Sequence, residues 1–386
     1  MPIAVASEHP GHILHGNPAR YDRKAIGLCF SGGGYRATLF HAGVVLRLGE
    51  LGLLPKLDRI SSVSGGSITS GLLARAWSNL AFDPQTGVAD PAVLKARFLK
   101  PVLAATARTL DIRVGIEGFL PFQSAGNRLA RLYDRYIFGG MRLAELPAHP
   151  QFVFNATNLQ TGGLFRFTRT YLADWRALIA TTRNVRLSEA VAASSAFPPV
   201  LAPLRLDLRD EDVSVPDGAR FDDPEILKEP VLVDGGVYDN LGLEAVWKRC
   251  GVIIASYAGH NAAAEPSSFG FDHMVPVIYT FLAASIDWRE RLLVAMFNTR
   301  LADGLPERAG TYWTAGTSVT GFPVHDGWKP TAAEFEAAKL TPTRLEALGP
   351  DEQRVVIRAG YGYADAGLRS YVLKGAPAPA GPPDLN

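Results

Sequence analysis

The sequence predicts an α/β fold in which parallel strands are covered by helices. Residues 25–30 form a short apolar run typical of a buried strand, and a Ser-Gly-Gly-Gly turn and an amphipathic helix over residues 35–54 follow it. The same order then repeats, with a strand over residues 57–63, a second glycine-containing turn and a helix over residues 66–80. Strands that alternate with helices in this way lie parallel, because each helix carries the chain back to the edge where the next strand starts.

The later elements are predicted from the hydrophobic pattern and the turn residues in the same way. Residues 83–150 are expected to be mainly helical, and strands and helices alternate again after them. The predicted segments are helices over 93–107 and 125–137, strands over 151–155 and 164–167, a short helix over 187–193, an acidic surface excursion over 207–229, strands over 230–233 and 252–255, an amphipathic helix over 285–301, and one or two closing helices over 351–372.

Composition and charge exclude several classes of protein. Of the 386 residues, 47% are apolar and 20% are charged, which is typical of a globular chain and not of a disordered one. The balance of 39 Lys and Arg against 38 Asp and Glu leaves a net charge of +1, which argues against a polybasic nucleic-acid-binding protein. The two cysteines, Cys29 and Cys250, cannot form a disulfide framework or an all-cysteine zinc site, and their apolar neighbours favour buried, reduced thiols.

A candidate nucleophile lies in residues 60–67, Ile-Ser-Ser-Val-Ser-Gly-Gly-Ser, between the second strand and the second helix. A nucleophile elbow needs this context, because a sharp strand-to-helix turn lifts one side chain clear and requires small neighbours. Ser64 stands at the apex and Gly66 follows two residues later, while Ser62 replaces the first glycine of the G-x-S-x-G pattern. Taken alone, such a Ser/Gly-rich segment is more often an ordinary turn.

Residues 31–36, Ser-Gly-Gly-Gly-Tyr-Arg, supply a candidate anion-binding loop. Consecutive glycines at the start of a helix present backbone N–H groups to an anion, and the helix dipole favours negative charge there. One use is an oxyanion hole for acyl transfer, and another is phosphate binding. A P-loop is excluded because no Gly-Lys-Ser/Thr follows, and the glycine spacing does not match the dinucleotide-binding pattern.

A candidate catalytic carboxylate follows the predicted strand over residues 230–233. Asp234 comes at the end of this apolar run, and Gly235 and Gly236 come next. At the C-terminal end of a strand in a parallel sheet, such a side chain lies at the edge where α/β proteins bind their ligands. The alternative is an ordinary Asp-Gly turn, which is the commoner meaning of that dipeptide.

Together these segments resemble the patatin-like phospholipase family, whose members are serine acyl hydrolases with a Ser-Asp dyad in place of a Ser-His-Asp triad. Residues 31–37 look like the family's glycine-rich loop with its basic residue, Ser64 matches the nucleophile, and Asp234 begins a match to the Asp-Gly-Gly/Ala element. The resemblance extends in order over roughly residues 24–372, through the segments 154–158, 193–198, 310–313 and 360–366. Ser62 and Ala37 stand where the family commonly has glycine, but both are small, so we expect the turn geometry to be kept.

The resemblance implies a three-layer α/β/α fold with a central, mainly parallel sheet, and it implies a mechanism. Ser64 would attack a fatty-acyl ester of a phospholipid or lysophospholipid, and Asp234 would accept its proton without an intervening histidine. The N–H groups of Gly32, Gly33 and Gly34 would hold the oxyanion, with Arg36, Gly66 and Gly235 in support. No step requires a metal or another cofactor. The expected partners are the lipid substrate and, through peripheral contact, a membrane, but not nucleic acid.

We expect one catalytic domain over residues 25–374, because the matching segments run through most of the chain without a linker. Residues 1–24 are expected to be an irregular arm; it contains His9, His12 and His15, but nothing nearby supplies an obvious fourth metal ligand. The Pro/Ala/Gly-rich tail over residues 375–386 is expected to be flexible. The N-terminus shows no signal-peptide pattern and the longest apolar run, residues 274–286, is too short to span a bilayer, so we expect a cytoplasmic location, with any membrane contact peripheral.

Other residues are expected to have smaller roles. His41 is predicted to be a packed or surface histidine, and Asp239 to cap or close its turn instead of acting as the base. Arg36 could pair with a lipid phosphate, although bracing the loop through nearby carbonyl groups is favoured. The helix over residues 285–301 is expected to face the core and not a membrane. The apolar stretches 115–122 and 269–286 are expected to help form an acyl-binding channel, and the loop over residues 119–122 is a second candidate for lipid contact.

Other functions stay open at this point. The same dyad could serve a general carboxylesterase or thioesterase. The scaffold could also belong to a non-catalytic lipid- or partner-binding protein, or to an effector that a ligand or partner activates. The presence of Ser64, Asp234 and the glycines together favours an enzyme.

Overall fold

A computed structural model describes residues 21–110, 124–259 and 274–385. Its centre is a mixed sheet, and eleven strands of this sheet lie in the described ranges. The strands are β1 (Asp22–Phe30), β2 (Arg59–Ser62), β3 (Gln151–Asn158), β4 (Gly163–Phe167), β5 (Leu172–Asp174), β6 (Leu178–Ala180), β7 (Leu204–Arg205), β8 (Val213–Ser214), β9 (Val231–Asp234), β10 (Cys250–Tyr257) and β11 (Ala309–Thr314).

The strand order across the sheet is β11-β10-β1-β2-β3-β4-β5-β6-β8. The first five of these strands are parallel to one another, which confirms the prediction of an α/β fold with a mainly parallel central sheet. Beyond β3 the pairing is antiparallel, and β9 joins the C-terminal half of β3 in the antiparallel sense. Ser62 pairs with Phe154, and Asp234 pairs with Ala156. Asp234 is therefore level with the turn that follows β2. The strand that carries it, β9, runs antiparallel to β2 and β3.

The helices cover both faces of the sheet. They are α1 (Gly34–Glu50), α2 (Gly65–Ala76), α3 (Pro91–Leu94), α4 (Lys100–Thr106), α5 (Ala125–Tyr133), α6 (Leu187–Ser194), α7 (Pro224–Lys228), α8 (Gly236–Asp239), α9 (Glu244–Trp247), α10 (Met274–Asn298), α11 (Ala332–Leu340) and α12 (Pro350–Tyr371). Short 3₁₀- or π-helical turns cover Leu54–Lys56, Trp77–Asn79, Lys95–Leu99, Asp134–Phe138, Leu143–Glu145 and Val319–Gly321.

Two apolar cores lie on opposite faces of the sheet, because successive side chains of a strand point to opposite sides. Leu28 and Phe30 of β1 belong to the larger core, together with side chains from α1, α2 and α12. Cys29 belongs to the smaller core, which α10 closes with Ile286, Leu293 and Met296. The sheet thus lies between two helical layers.

Both cysteines are free and buried, which confirms the prediction of buried, reduced thiols. Burial raises the pKa of the Cys250 thiol to about 11, and it raises the pKa of Cys29 well above its ordinary value. Both side chains are therefore protonated at neutral pH and behave as small apolar groups.

Some element boundaries differ from those predicted. Helix α1 ends at Glu50, four residues early, because Gly52 turns the chain with a φ of 64°. Helix α10 already includes Met274, eleven residues before the predicted start at residue 285. The predicted surface excursion over residues 207–229 contains β8 and α7 and is anchored in the core by Leu208 and Ile226.

The C-terminal segment contacts the body of the protein. The carbonyl of Pro377 accepts a hydrogen bond from Nη2 of the buried Arg47 at 2.6 Å, and the carbonyl of Pro379 accepts one from the N–H of Trp328 at 2.9 Å. The predicted domain boundaries stay predictions, and His9, His12, His15 and the stretch 115–122 lie outside the described residues. In the described ranges, no helix combines the length and the apolar character that crossing a membrane requires, and no His, Cys, Asp and Glu side chains cluster as metal ligands would.

Candidate active site

Ser64 lies at the tip of a strained turn between β2 and α2. Its backbone has φ 50° and ψ −120°, and it is the one non-glycine residue with positive φ in the described part of the chain. Such a conformation costs about 1–3 kcal/mol, so it persists only where the surroundings hold it. The residue is half-buried, and a strained turn between a strand and a helix is the geometry that a nucleophile elbow requires; we call this turn the elbow.

Two features hold the turn in place. The N–H of Ser64 donates to Oγ of Ser194 at 2.9 Å, and that hydroxyl donates to the carbonyl of Asn155 at 2.6 Å. Gly66 allows α2 to start against the end of β1, because a Cβ on Gly66 would lie 2.6 Å from the carbonyl oxygen of Ser31. The elbow is therefore fixed to α6, β3 and the glycine loop at the same time.

Asp234 is at the C-terminal end of β9, and its side chain is only 2% exposed. Its N–H donates to the carbonyl of Ala196 at 2.9 Å, and its Oδ1 accepts from the N–H of Gly236 at 2.7 Å. Gly235 donates to the carbonyl of Ser194 at 3.3 Å. The chain around Ser194 thus supports both the elbow and the turn that follows Asp234.

The environment of Asp234 changes its acidity. Burial raises the pKa of the carboxyl group to about 7, although the N–H of Gly236 and the nearby hydroxyl of Ser64 favour the ionised form and limit the rise. A carboxyl group with a pKa near neutrality can accept a proton and return it at the same pH, as a general base and acid must. Because the hydroxyl of Ser64 is one of the groups that influence this pKa, the side chains of Asp234 and Ser64 are close enough to interact.

The glycine loop lies directly beside Ser64. A Cβ on Gly32 would be 3.1 Å from the Cβ of Ser64, and Gly33 adopts a φ of 136°, which side chains disfavour. The N–H groups of Gly33 and Gly34 have no acceptor among the described residues, and they lie at the N-terminus of the 17-residue helix α1. Free N–H groups and the helix dipole together favour a negatively charged oxygen at this place.

The expectation for Gly32 needs correction. Its N–H donates to the carbonyl of Asn240 at 3.1 Å, so it is not available to a substrate oxygen in this structure. The sequence pattern shows three consecutive glycines, but only the packing of the segment after Asp234 against the loop decides which N–H groups remain free. Gly32 instead joins the loop to Asn240.

Arg36 is buried behind the loop. Its Nη1 donates to the carbonyl of Thr341 at 2.9 Å, which confirms the predicted bracing through a carbonyl group, while its Nε has no partner among the described residues. No described carboxylate is among the groups that influence it, and burial lowers its pKa from the ordinary value. The guanidinium therefore adds positive potential beside Gly33.

His41 and Asp239 have the structural roles that were predicted. The His41 ring is fully buried, with Nδ1 3.1 Å from Oγ of Ser256 and Nε2 3.0 Å from the carbonyl of Ser31, and burial lowers its pKa to about 3. Asp239 closes its turn by accepting from the N–H groups of Leu241 at 3.1 Å and Glu244 at 2.8 Å.

Three supporting residues were not assigned a role from the sequence. Ser194 bonds to the elbow, Asn240 bonds to the glycine loop, and Asn155 donates from Nδ2 to Oγ of Ser61 and to the carbonyl of Ser62, both at 2.9 Å. The available signal was a polar side chain in an otherwise apolar buried segment, as in the Phe-Asn-Ala run of β3. That signal indicates a hydrogen-bonding role but does not identify the partner.

Comparisons with known proteins concern the family and the fold of the chain. The family model of the patatin-like phospholipases matches residues 28–247, which include the glycine loop, Ser64 and Asp234. Human GIVD cytosolic phospholipase A2 has a similar fold, with 12% identity and a TM-score of 0.50 over 88% of this chain and 58% of that one. VipD from Legionella pneumophila matches with 14% identity and a TM-score of 0.41 over 88% of this chain and 66% of that one. The chain thus spans less than two thirds of either protein, and no curated protein matches the sequence.

Proposed function

The chain belongs to the patatin-like phospholipase family, and from this premise we propose that it is a lipid acyl hydrolase with Ser64 as nucleophile and Asp234 as base. The proposed substrates are fatty-acyl esters of phospholipids or lysophospholipids. The observation that carries the proposal is the strained Ser64 beside a buried carboxyl group whose pKa is raised to about 7. A turn that only connects a strand to a helix needs neither a strained serine nor a buried carboxyl group with a raised pKa. Acyl transfer uses both features.

The first half of the reaction forms an acyl-enzyme. Ser64 Oγ attacks the ester carbonyl carbon while its proton passes to the Asp234 carboxylate. The resulting tetrahedral intermediate carries its negative charge on the former carbonyl oxygen. The intermediate collapses when the ester C–O bond breaks, and the leaving alcohol takes the proton from Asp234.

The second half releases the fatty acid. A water molecule gives a proton to Asp234 and attacks the acyl-enzyme carbonyl carbon, which forms a second tetrahedral intermediate. Collapse breaks the bond to Ser64 Oγ, which recovers its proton from Asp234. The cycle thus returns Ser64 and Asp234 to their starting protonation states and consumes one water molecule.

The negative oxygen in both intermediates is assigned to the N–H groups of Gly33 and Gly34. Removing one such donor typically raises the barrier by about 2.7–4 kcal/mol. Two free donors at the start of α1 support this assignment, and Arg36, which has no described carboxylate beside it, adds favourable potential. Gly32, whose N–H is bonded to Asn240, is assigned to positioning of the loop.

The test combines covalent labelling with hydrolysis. A fluorophosphonate probe should label the purified protein at Ser64, and Ser64→Ala should abolish both labelling and the release of fatty acid from phosphatidylcholine and lysophosphatidylcholine. Ser70→Ala is the matched control, because Ser70 is a buried serine of α2, the helix that follows Ser64, and its hydroxyl has no partner among the described residues. Hydrolysis that survives Ser64→Ala would contradict the mechanism, and a strong preference for short water-soluble esters or thioesters would contradict the substrate class.

A further inference from the structure

Helix α10 exposes an apolar surface where a surface helix normally exposes polar residues. Val277, Phe281, Trp288 and Leu292 are exposed, with 71% of Phe281 and 69% of Trp288 accessible. Their spacing places them on one side of the helix, since residues separated by 4, 7 or 11 positions face the same way. We call these four side chains the apolar stripe. Ile286 and Leu293 lie on the opposite side, in the smaller core.

The core contacts of α10 are therefore already satisfied without the apolar stripe. The prediction that this helix faces the core is confirmed for one side only. A second apolar side on an amphipathic helix is unusual for a surface in contact with water, and it indicates an interaction surface.

Helix α10 adjoins the candidate active site through side chains outside the apolar stripe. The ring of Tyr279 packs on Phe197 with their centroids 5.9 Å apart, and Phe197 follows Ala196, which bonds to Asp234. Further along, Oγ of Ser285 donates to the carbonyl of Tyr238 at 3.2 Å. Tyr238 belongs to α8, which starts two residues after Asp234. The helix is thus attached to both segments that hold Asp234.

The charges on the helix agree with a phospholipid surface as the occupant. Of the charged residues of α10, only Arg291 is exposed, and its guanidinium lies 5.5 Å from the ring centre of Trp288. Arg289 faces inward and pairs with Asp239 at 3.0 Å. Arg300, just beyond the helix, is also exposed. Arginine and tryptophan side chains beside an apolar surface suit the boundary between acyl chains and phosphate groups.

We propose that α10 docks on a phospholipid surface through the apolar stripe, with Arg291 and Arg300 at the level of the lipid phosphates. The proposal rests on the proposed function, because a lipid acyl hydrolase needs its substrate brought to the mouth of the site. The net charge of +1 is too small for general electrostatic attraction, so burial of apolar side chains provides the main driving force.

The test separates membrane docking from catalysis. Sedimentation with vesicles of phosphatidylcholine and phosphatidylglycerol is measured in the Ser64→Ala background, where the lipid stays intact. Trp288→Ser with Leu292→Ser should weaken vesicle binding by about tenfold or more, because two large apolar side chains are then no longer transferred from water to lipid. The matched control is Leu159→Ser with Leu340→Ser, which removes two side chains that are 60% and 66% exposed elsewhere. The control should bind vesicles as the unchanged protein does.

Catalysis is read separately with Ser64 intact. The protein with the two serine substitutions in the apolar stripe, called the stripe variant, should keep fluorophosphonate labelling and hydrolysis of a water-soluble ester. It should lose hydrolysis of vesicle lipid. Vesicle binding that is absent in the parent, unchanged in the stripe variant or equally weakened in the control would overturn the proposal. A dimer that the stripe variant converts to a monomer, without effect on vesicle binding, would assign the surface to a second copy of the chain. Failure of the proposed function would instead appear as absent labelling with vesicle binding intact.

Discussion

Replacement of Asp234 by asparagine is expected to abolish hydrolysis and to stabilise the protein at alkaline pH. Asparagine has nearly the same shape, and its Oδ1 can still accept the N–H of Gly236, which the Asp234 Oδ1 accepts at 2.7 Å. It cannot accept the proton of Ser64, so the reaction stops. It also removes a buried carboxyl group that must carry a charge above neutral pH, in a position that is 2% exposed.

The size of the stability change follows from the pKa. Burial raises the pKa of Asp234 from 3.8 to about 7, so the folded state favours the protonated form. Because the folded pKa is the higher one, the ionisation penalty is absent below pH 3.8, grows as the pH rises, and is complete above about pH 7. A shift of about three units corresponds to about 4 kcal/mol at pH 8 and about 1 kcal/mol at pH 4.5. We expect Asp234→Asn to gain close to these amounts.

The assay is denaturant unfolding of the parent and the Asp234→Asn protein at pH 4.5 and pH 8. Asp351→Asn is the control, because Asp351 is at the surface and its replacement should change the unfolding free energy by less than about 0.5 kcal/mol at either pH. The reasoning is refuted if the advantage of Asp234→Asn is equal at the two pH values, since a buried ionisation cannot then be its cause.

Three further predictions concern the proposed mechanism. In the unchanged protein, kcat/KM for an uncharged ester should fall about tenfold per pH unit below pH 7, because protonated Asp234 cannot accept a proton; a profile that stays flat down to pH 5 would exclude it as the base. Ser194→Ala removes the acceptor of the Ser64 N–H and should lower kcat by about ten- to a hundredfold with little change in KM, whereas the control Ser70→Ala should leave both constants unchanged. Gly33→Ala places a side chain at φ 136°, 3.2 Å from the Cβ of Ala37, and should lower kcat by about a hundredfold or more; wild-type hydrolysis would remove the Gly33 N–H from the oxyanion site.

Local patterns in the sequence were sufficient for much of the fold and for the candidate residues. The apolar run before Ser31 and the glycine turn after it predict a strand and a helix start, and β1 and α1 are found there. Ser64 is between a strand and a helix for the same local reason. Both are properties of a few consecutive residues, because strand and helix periodicities and turn preferences depend on neighbours in the chain.

Helix α10 shows where local patterns fail. Its first half reads as an apolar run that fits a core equally well, and only the folded chain shows which side of the helix the core covers. The exposure of Phe281 and Trp288 follows from that packing and is not visible in the periodicity.

The sequence by itself determined which groups are available: a serine on a tight turn, an aspartate after an apolar strand, and three glycines at a helix start. Only the tertiary structure decided how they act. The antiparallel pairing of β9 with β3 brings Asp234 level with the elbow, and burial by distant segments raises its pKa to about 7. The carbonyl of Asn240 takes the N–H of Gly32 and leaves those of Gly33 and Gly34 free. Hydrogen-bond occupancy and desolvation depend on residues far apart in the chain, so no local pattern contains them.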